Sequence, residues 1–265
     1  MSWRDRFSKL QEQLSEVSDR DLQSLLLEVF AQRVPQPGYL QQRYQESRFV
    51  HPSPLNVRKS ARLLAQAWET LPEPFEPIEL SPLAPLGTCA GLATVSQNKV
   101  VSTGRNCEVS ADPSPVLALE CARRKGPVDL AAYQRVVRAQ ALPGPGFYAH
   151  FGIFSLVSAG RHGFEEAAIQ RHWDFYRKFL ESAVPDARVE FQLTNWGNLK
   201  LQAGFVPDWK RQPGYYQKAC FKIYLNGVEV GDGGFTDWMA RLRSDRRESF
   251  LSSGLGWERL VGLMH

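Results

Sequence analysis

Arg138 and Arg259 are the side chains of this sequence best suited to hold an anion. A guanidinium carries a permanent charge on a planar fork that matches the oxygens of a phosphate. Arg138 sits in an alternating run at 133–140 that reads as a strand. A nine-residue loop follows, with Pro143, Gly144, Pro145 and Gly146 inside it, and then a returning strand at 150–160. His150 and Phe154 lie on that second strand. An arginine and a phenylalanine on paired strands can address one ligand, the first through a phosphate and the second by stacking on a base. Arg259 follows a glycine turn, Gly254-Leu255-Gly256, at the start of a short helix. Glycines there let a backbone approach a ligand closely. A third group, Glu229, Asp232 and Asp237, places carboxylates beside the glycine-rich backbone of Gly231, Gly233 and Gly234. Such carboxylates suit Mg²⁺ or a substrate ammonium. Each of these residues alone also fits a plainer role, as a surface ion pair, a packed histidine or a turn carboxylate.

The elements that must position them follow from periodicity. Residues 1–55 read as a polar helical extension, with helices near 22–30 and 39–44 broken by Pro35, Pro37 and Gly38. Residues 56–265 read as the main domain. An amphipathic helix runs over 56–70, with Leu63, Leu64, Ala67 and Trp68 on its apolar face. The proline-punctuated run 75–83 alternates like an edge strand. Short strands are expected at 93–95 and 99–103, and a helix opens near Pro115. A long helix covers 165–182, with Ile169, Trp173, Tyr176 and Leu180 at core spacing. Strands at 189–193, 219–225 and 228–230 follow, the last two joined by Asn226-Gly227, a strong hairpin signal. The order predicts an α+β fold, a mainly antiparallel β-sheet flanked by helices.

Composition sets the outer bounds. The chain has 265 residues, is 43% hydrophobic and 23% charged, and carries a net charge of +4, values of a globular domain that permit a nucleic-acid partner without requiring one. Seven Trp and fifteen Phe promise a well-filled core. Cys89, Cys107, Cys121 and Cys220 are scattered without a CxxC pair, so reduced thiols in the cytoplasm are expected rather than zinc or disulfides. No run approaches the roughly 20 apolar residues of a membrane span.

In this order, the residues resemble the catalytic core of class II aminoacyl-tRNA synthetases, in the histidyl-type subgroup. The second motif of that family is an arginine-bearing strand, a loop, then Arg or His with Phe four residues on; here Val137, Arg138, Ala139 and Gln140 precede the loop, and His150 and Phe154 follow it. The third motif is matched by Gly254-Leu255-Gly256-Trp257-Glu258-Arg259-Leu260. Residues 231–237 are similar to the glycine-rich amino-acid segment, and 56–83 to the first motif, which lies at a dimer interface. The resemblance covers about 56–265. It implies a stand-alone core without an anticodon-binding domain that binds ATP and Mg²⁺. Arg138 would take the α-phosphate, Phe154 the adenine, Arg259 the γ-phosphate, with His150 near the β- and γ-phosphates and Gly254 and Gly256 beneath. Glu229 and Asp232 would hold the metal. Asp237, with Gly233 and Gly234, would hold a small carboxylic or amino acid. The partners implied are a tRNA or carrier as acyl acceptor and a second copy in a homodimer, with no membrane.

The chain also departs from that pattern. Gln140 and Val137 replace an acid and an aromatic of the second motif, Ser158 replaces a later acid, and Trp257 is bulky within the third. Two readings therefore stand side by side: a ligase that forms an acyl-adenylate, and a non-catalytic paralogue acting as a regulatory or binding subunit.

Overall fold

A computed structural model describes residues 2–140, 148–201 and 204–264, so the loop expected around 142–146 lies outside the described residues. The order is α1 (Trp3–Glu16), α2 (Asp19–Gln32), α3 (Pro37–Glu46), α4 (Val57–Thr70), β1 (Glu76–Pro77), β2 (Leu83–Pro85), α5 (Thr88–Leu92), β3 (Cys107–Val109), α6 (Pro113–Arg123), β4 (Val128–Val137), β5 (His150–Arg161), α7 (Glu165–Ala183), β6 (Val189–Asn195), β7 (Val206–Pro207), β8 (Gln217–Leu225), β9 (Val228–Thr236), α8 (Trp238–Arg243), β10 (Glu248–Gly256) and α9 (Trp257–Gly262).

One eight-stranded sheet organises the chain, in the order β1-β4-β5-β10-β9-β8-β6-β7. Its six inner strands pair antiparallel, and only the two-residue edge strands run parallel to their neighbours. Each edge strand ends in a proline, Pro77 or Pro207, which has no N–H to offer a further strand. The fold is therefore α+β with a mainly antiparallel sheet, as the strand pattern predicts.

Side-chain alternation divides the sheet into two faces. Phe154 and Leu156 of β5, Leu251 and Leu255 of β10 and Phe221, Ile223 and Leu225 of β8 join one buried cluster with α7, through Ile169, Trp173, Phe175, Tyr176 and Phe179, and with α4, through Leu63 and Ala67. On the opposite face, Leu130, Ala132, Val157, Ala159 and Phe250 pack against Leu117, Ala118 and Cys121 of α6 and Trp238 and Met239 of α8. Asn56 caps α4 by accepting from the Lys59 amide, and Asp112 caps α6 by accepting from the Ser114 amide. The second cover reaches only part of its face. Towards the far ends of β4, β5, β9 and β10, that face stays open as a cavity.

Three expectations need correction. Residues 93–95 and 99–103 are not strands; Thr94 has φ +54°, outside the β region, and Ser102 makes only an isolated bridge to Glu108. The strand expected at 228–230 does not stop there; it continues through the glycine-rich residues 231–236 as the rest of β9. Gly254 and Gly256 do not form a turn; they are the last rungs of β10, which runs straight into α9. The N-terminal helices expected at 22–30 and 39–44 are present as α2 and α3, and neither contains a buried residue.

Candidate functional site

The open part of the sheet is the floor of a cavity of about 290 Å³. Arg138 reaches it from beyond the end of β4, Phe151, Ile153 and Ser155 from β5, Asp232 from β9, and Ser252, Gly254 and Gly256 from β10. Arg259 reaches it from the first turn of α9, and Asp112 and Ser114 from the start of α6.

Arg138 is held on three sides. Its Nε donates to the Ala111 carbonyl at 3.0 Å, its Nη2 meets Asp112 Oδ2 at 3.2 Å, and its guanidinium lies 5.0 Å from the centre of the Phe151 ring. Asp112 uses its other oxygen to accept from the Ser114 amide at 2.8 Å, so the cap of α6 also orients this arginine. Arg259 donates from Nη1 to the Glu229 carbonyl. Its neighbour Glu258 is buried and fixes the start of α9. The Glu258 carboxylate accepts from the Gly152 amide at 2.7 Å and from Ser53 Oγ at 3.1 Å, and pairs with Arg135 at 3.0 Å. Trp257 turns into the core, where its Nε1 donates to Ser60 Oγ at 2.9 Å, and so leaves the cavity clear.

Asp232 lies on the cavity floor and accepts from the Tyr216 hydroxyl at 3.1 Å. Burial pushes its carboxyl above the usual range, against the opposing effects of Tyr216 and the Arg211 charge. Burial, with Asp232 beside it, holds the Tyr216 hydroxyl well above its ordinary value. Gly234 makes room for that tyrosine: a Cβ there would meet the Tyr216 ring at 2.5 Å.

The structure thus brings Arg138, Arg259, Glu229, Asp232, Gly254 and Gly256 to one cavity and leaves other expected residues outside it. Phe154 is fully buried on the opposite face, stacked on Phe175 and Trp257, and cannot reach a ligand in the cavity. Period-2 alternation turns Phe151, Ile153 and Ser155 to the cavity and His150 and Phe154 away from it. His150 accepts from Arg135 at Nδ1, 2.8 Å away, and its Nε2 donates to the His51 carbonyl at 2.6 Å, so it also misses the cavity. Asp237 precedes α8 and pairs with Arg241 at 3.6 Å, away from the cavity. Gly233 serves close strand packing, since a Cβ there would meet Ser253 at 2.4 Å. The two expected metal ligands are both engaged, Glu229 by Lys222 and Asp232 by Tyr216. Among the described residues no group of three His, Cys, Asp or Glu side chains is placed to hold a metal ion.

Sequence reasoning missed Phe151, Ser155, Asp112 and Tyr216. The first two were legible from alternation: residues at odd positions after the loop share the face of Arg138 only if the register is counted across the hairpin, where Val136 pairs with Phe151. Asp112 was legible as a helix cap but carried no sign of contact with a residue so far along the chain.

No protein-family model matches the chain, and no curated protein matches it in sequence. Solved structures match its fold. A Bacillus halodurans protein described as an ATP phosphoribosyltransferase regulatory subunit/histidyl-tRNA synthetase superposes with a TM-score of 0.67 at 14% identity, over 83% of each chain. Histidyl-tRNA synthetase from Nostoc sp. PCC 7120 gives 0.62 at 13% identity, over 80% of this chain and 72% of that one. A pyrrolysyl-tRNA synthetase from Desulfitobacterium hafniense gives 0.54 at 17%, over 80% and 69%. The protein has the fold of the class II aminoacyl-tRNA synthetase catalytic core.

Proposed function

We propose that the cavity binds ATP and a small carboxylic acid, and that the protein joins them as an acyl-adenylate for transfer to an RNA or carrier. One observation carries the reading: Arg138 and Arg259, from opposite ends of the sheet region of the sequence, line one cavity together with the aromatic ring of Phe151. Two guanidinium groups can grip a polyphosphate, and a ring beside one of them can stack on a base. In the reaction a carboxylate oxygen of the substrate attacks the α-phosphorus in line. The bond from that phosphorus to the bridging oxygen breaks, and pyrophosphate leaves with the electron pair. No proton has to move, so the protein's part is to align the two substrates and neutralise charge. Arg138, set between Asp112 and Phe151, serves the first need, and both arginines serve the second. Any Mg²⁺ would enter with the nucleotide, held mainly by its phosphates and by one or two carboxylates, for which Glu229 and Asp232 are the expected residues that line the cavity. The resemblance of residues 56–83 to a dimer-forming motif extends the reading to a homodimer, which sedimentation would test.

The test is titration with ATP followed by pyrophosphate exchange across the amino acids. Binding weakened about 10- to 100-fold in Arg259→Ala and Arg138→Ala is expected from the loss of one charged hydrogen-bonding group each. Failure of the wild-type protein to bind ATP overturns the reading.

A second reading, a non-catalytic regulatory subunit, has a specific observation behind it. Arg138 is already engaged by Asp112 and the Ala111 carbonyl, and Gln140, not an acid, lines the cavity next to it. ATP binding without exchange on any amino acid would favour this second reading.

A further inference from the structure

We propose that α1 is a self-association element, which pairs antiparallel with α1 of a second copy of the chain along a seam of Phe7, Leu10 and Leu14. The proposal does not depend on what the cavity binds, and its surface is separate from residues 56–83.

The ends of α1 are fixed by local chemistry. Ser2 and Asp5 cap it reciprocally, the Ser2 amide donating to Asp5 Oδ2 at 2.8 Å and the Asp5 amide to Ser2 Oγ at 3.2 Å. Ser18 caps α2 by accepting from the Asp21 amide at 3.2 Å, so the chain leaves α1 at Val17. α2 is seated on the main domain. The Asn106 side chain donates to the Asp19 carbonyl at 3.3 Å, and a Cβ at Gly104 would meet the Phe30 ring at 2.8 Å. By contrast, none of the described side chains of α1 is buried, and none joins a buried cluster. A helix of 14 residues is marginal without a packed face.

The sequence of α1 carries the pattern of a helix pair. Trp3, Phe7, Leu10, Leu14 and Val17 recur at alternating intervals of four and three, the spacing of a coiled-coil seam. Phe7, Leu10 and Leu14 therefore share one face, on which Phe7 is 49% and Leu10 48% exposed. With these residues at the seam, Arg4, Arg6, Gln11 and Gln13 flank it.

Charge selects the partner and its direction. Arg4, Arg6 and Lys9 outnumber Asp5 in the first half of α1, and Glu12 and Glu16 are the charges of the second half. The next charges along the chain, Asp19, Arg20 and Asp21, add to the negative end. This order opposes the helix dipole, whose positive N-terminal end favours acids and whose negative C-terminal end favours cations. A second copy laid antiparallel brings the acids and the negative end of each helix beside the cations of the other. A parallel copy would bring the two cationic ends together. In the antiparallel register that sets Phe7 against Leu10 of the second copy, Arg4 lies beside Gln11 and Arg6 beside Gln13, so like charges do not meet across the seam. The complement that α1 requires is thus its own sequence in the opposite direction.

The experiment places one spin label on the full chain, at Ser8→Cys or at Ser15→Cys, in a Cys107→Ser background that leaves the three buried cysteines. Pulsed electron resonance then reads the distance between labels of two copies. Both positions lie on the same side of the seam. In the antiparallel register the two Ser8 positions are nearly level along the axis, whereas the two Ser15 positions are offset by about 20 Å. We expect a short distance at Ser8 and a longer one at Ser15. Adding Leu10→Glu should cut the paired signal about tenfold at equal concentration, because a charge then enters the seam. Phe7→Glu repeats that arm at the facing position. No coupling between labels at either site overturns the proposal. So does a distance at Ser8 equal to or longer than that at Ser15, or a coupling that Leu10→Glu and Phe7→Glu leave unchanged. A dimer built on residues 56–83 would still sediment at twice 30.0 kDa in Leu10→Glu, so that reading is judged separately.

Discussion

Arg138 carries its guanidinium 5.0 Å above the Phe151 ring, whereas Phe154, three residues further along the same strand, is buried on the other side of the sheet. The two phenylalanines therefore predict opposite phenotypes. Phe151→Ala removes a ring from the cavity wall and should weaken ATP binding several-fold while leaving the urea midpoint close to that of the wild type. Phe154→Ala removes a fully buried ring stacked on Phe175 and Trp257, and should cost about 3–5 kcal/mol. Paired denaturation and ATP titrations on the two variants check this. A stable Phe154→Ala that no longer binds nucleotide would contradict the assignment.

That contrast also marks what the sequence could tell. The hairpin of β4 and β5, the long α7 and the Asn226-Gly227 turn were legible because hydrophobic period and turn chemistry are local. Which face of β5 bears the site was not, because His150 and Phe154 satisfy a spacing rule as well as Phe151 and Ser155 satisfy the cavity. Only the register with β4 and β10 separates them. Glycine was misleading for a similar reason. Gly254 and Gly256 read as a turn, and Gly231, Gly233 and Gly234 as a segment past the end of a strand, yet all five lie within strands. At Gly233 and Gly234 an added Cβ would meet Ser253, Phe221 or Tyr216 at 2.7 Å or less. Close approach between neighbours requires these glycines, and a single sequence does not show the neighbours.

Beneath the sheet, a chain of hydrogen bonds has its direction set by one charge. Arg171 and Ser158 both donate to Asp129, so the Ser158 oxygen must accept from His172 Nε2–H, 2.9 Å away. His172 Nδ1 is then an acceptor for Ser253 Oγ–H at 2.7 Å, and Ser253 accepts in turn from the Tyr176 hydroxyl at 2.8 Å. His172 must stay neutral for this chain to hold. Burial, helped by the Arg171 charge, keeps its pKa well below the ordinary 6.5. The unfolded chain protonates this histidine first as pH falls, so stability should decline as pH drops below about 6.5. His172→Gln should flatten that decline between pH 7.5 and 5.5, measured by urea midpoints. It should also lower stability at pH 7.5 by about 1–3 kcal/mol by disturbing the two serines.

At the other end of the sheet, Glu165 is buried and accepts from Lys218 and from the Gly163 amide at 2.6 Å. Burial raises its carboxyl, but the Lys218 hydrogen bond, the backbone bonds and the lysine charge outweigh it, and bring the pKa down to about 2 from an ordinary 4.5. A depressed carboxyl contributes stability that is full above 4.5 and is lost as pH falls from there through about 2. The linked stabilisation is of order 3 kcal/mol. Glu165→Gln should therefore narrow the loss of stability between pH 5 and pH 2.5, and Lys218→Met should do the same by removing the partner. An acid-denaturation profile identical to the wild type in both variants would show that this pair does not govern the acid limb.

The cysteines give a last expectation, read by thiol labelling. Burial pushes Cys89 and Cys121 up to about 12, and raises Cys220 against the opposing hydrogen bond and charge of Arg211. A thiol at about 12 in place of 9 holds about a thousandfold less thiolate at any pH well below both values, and the thiolate is the species that reacts. Cys107 is only half-buried, in β3 near the surface, with Thr103 Oγ1 at 3.0 Å from its sulfur. Native protein at pH 8 should therefore label at Cys107 first, with Cys89, Cys121 and Cys220 reacting only once denaturant opens the fold. Burial protects Cys89 and Cys121 on the α5 and α6 side of the sheet, and Cys220 within β8. Labelling kinetics across a urea series should then show one fast site and three that follow the unfolding transition. A second fast site at Cys220 would mean that the strand carrying it opens locally, well below the global transition.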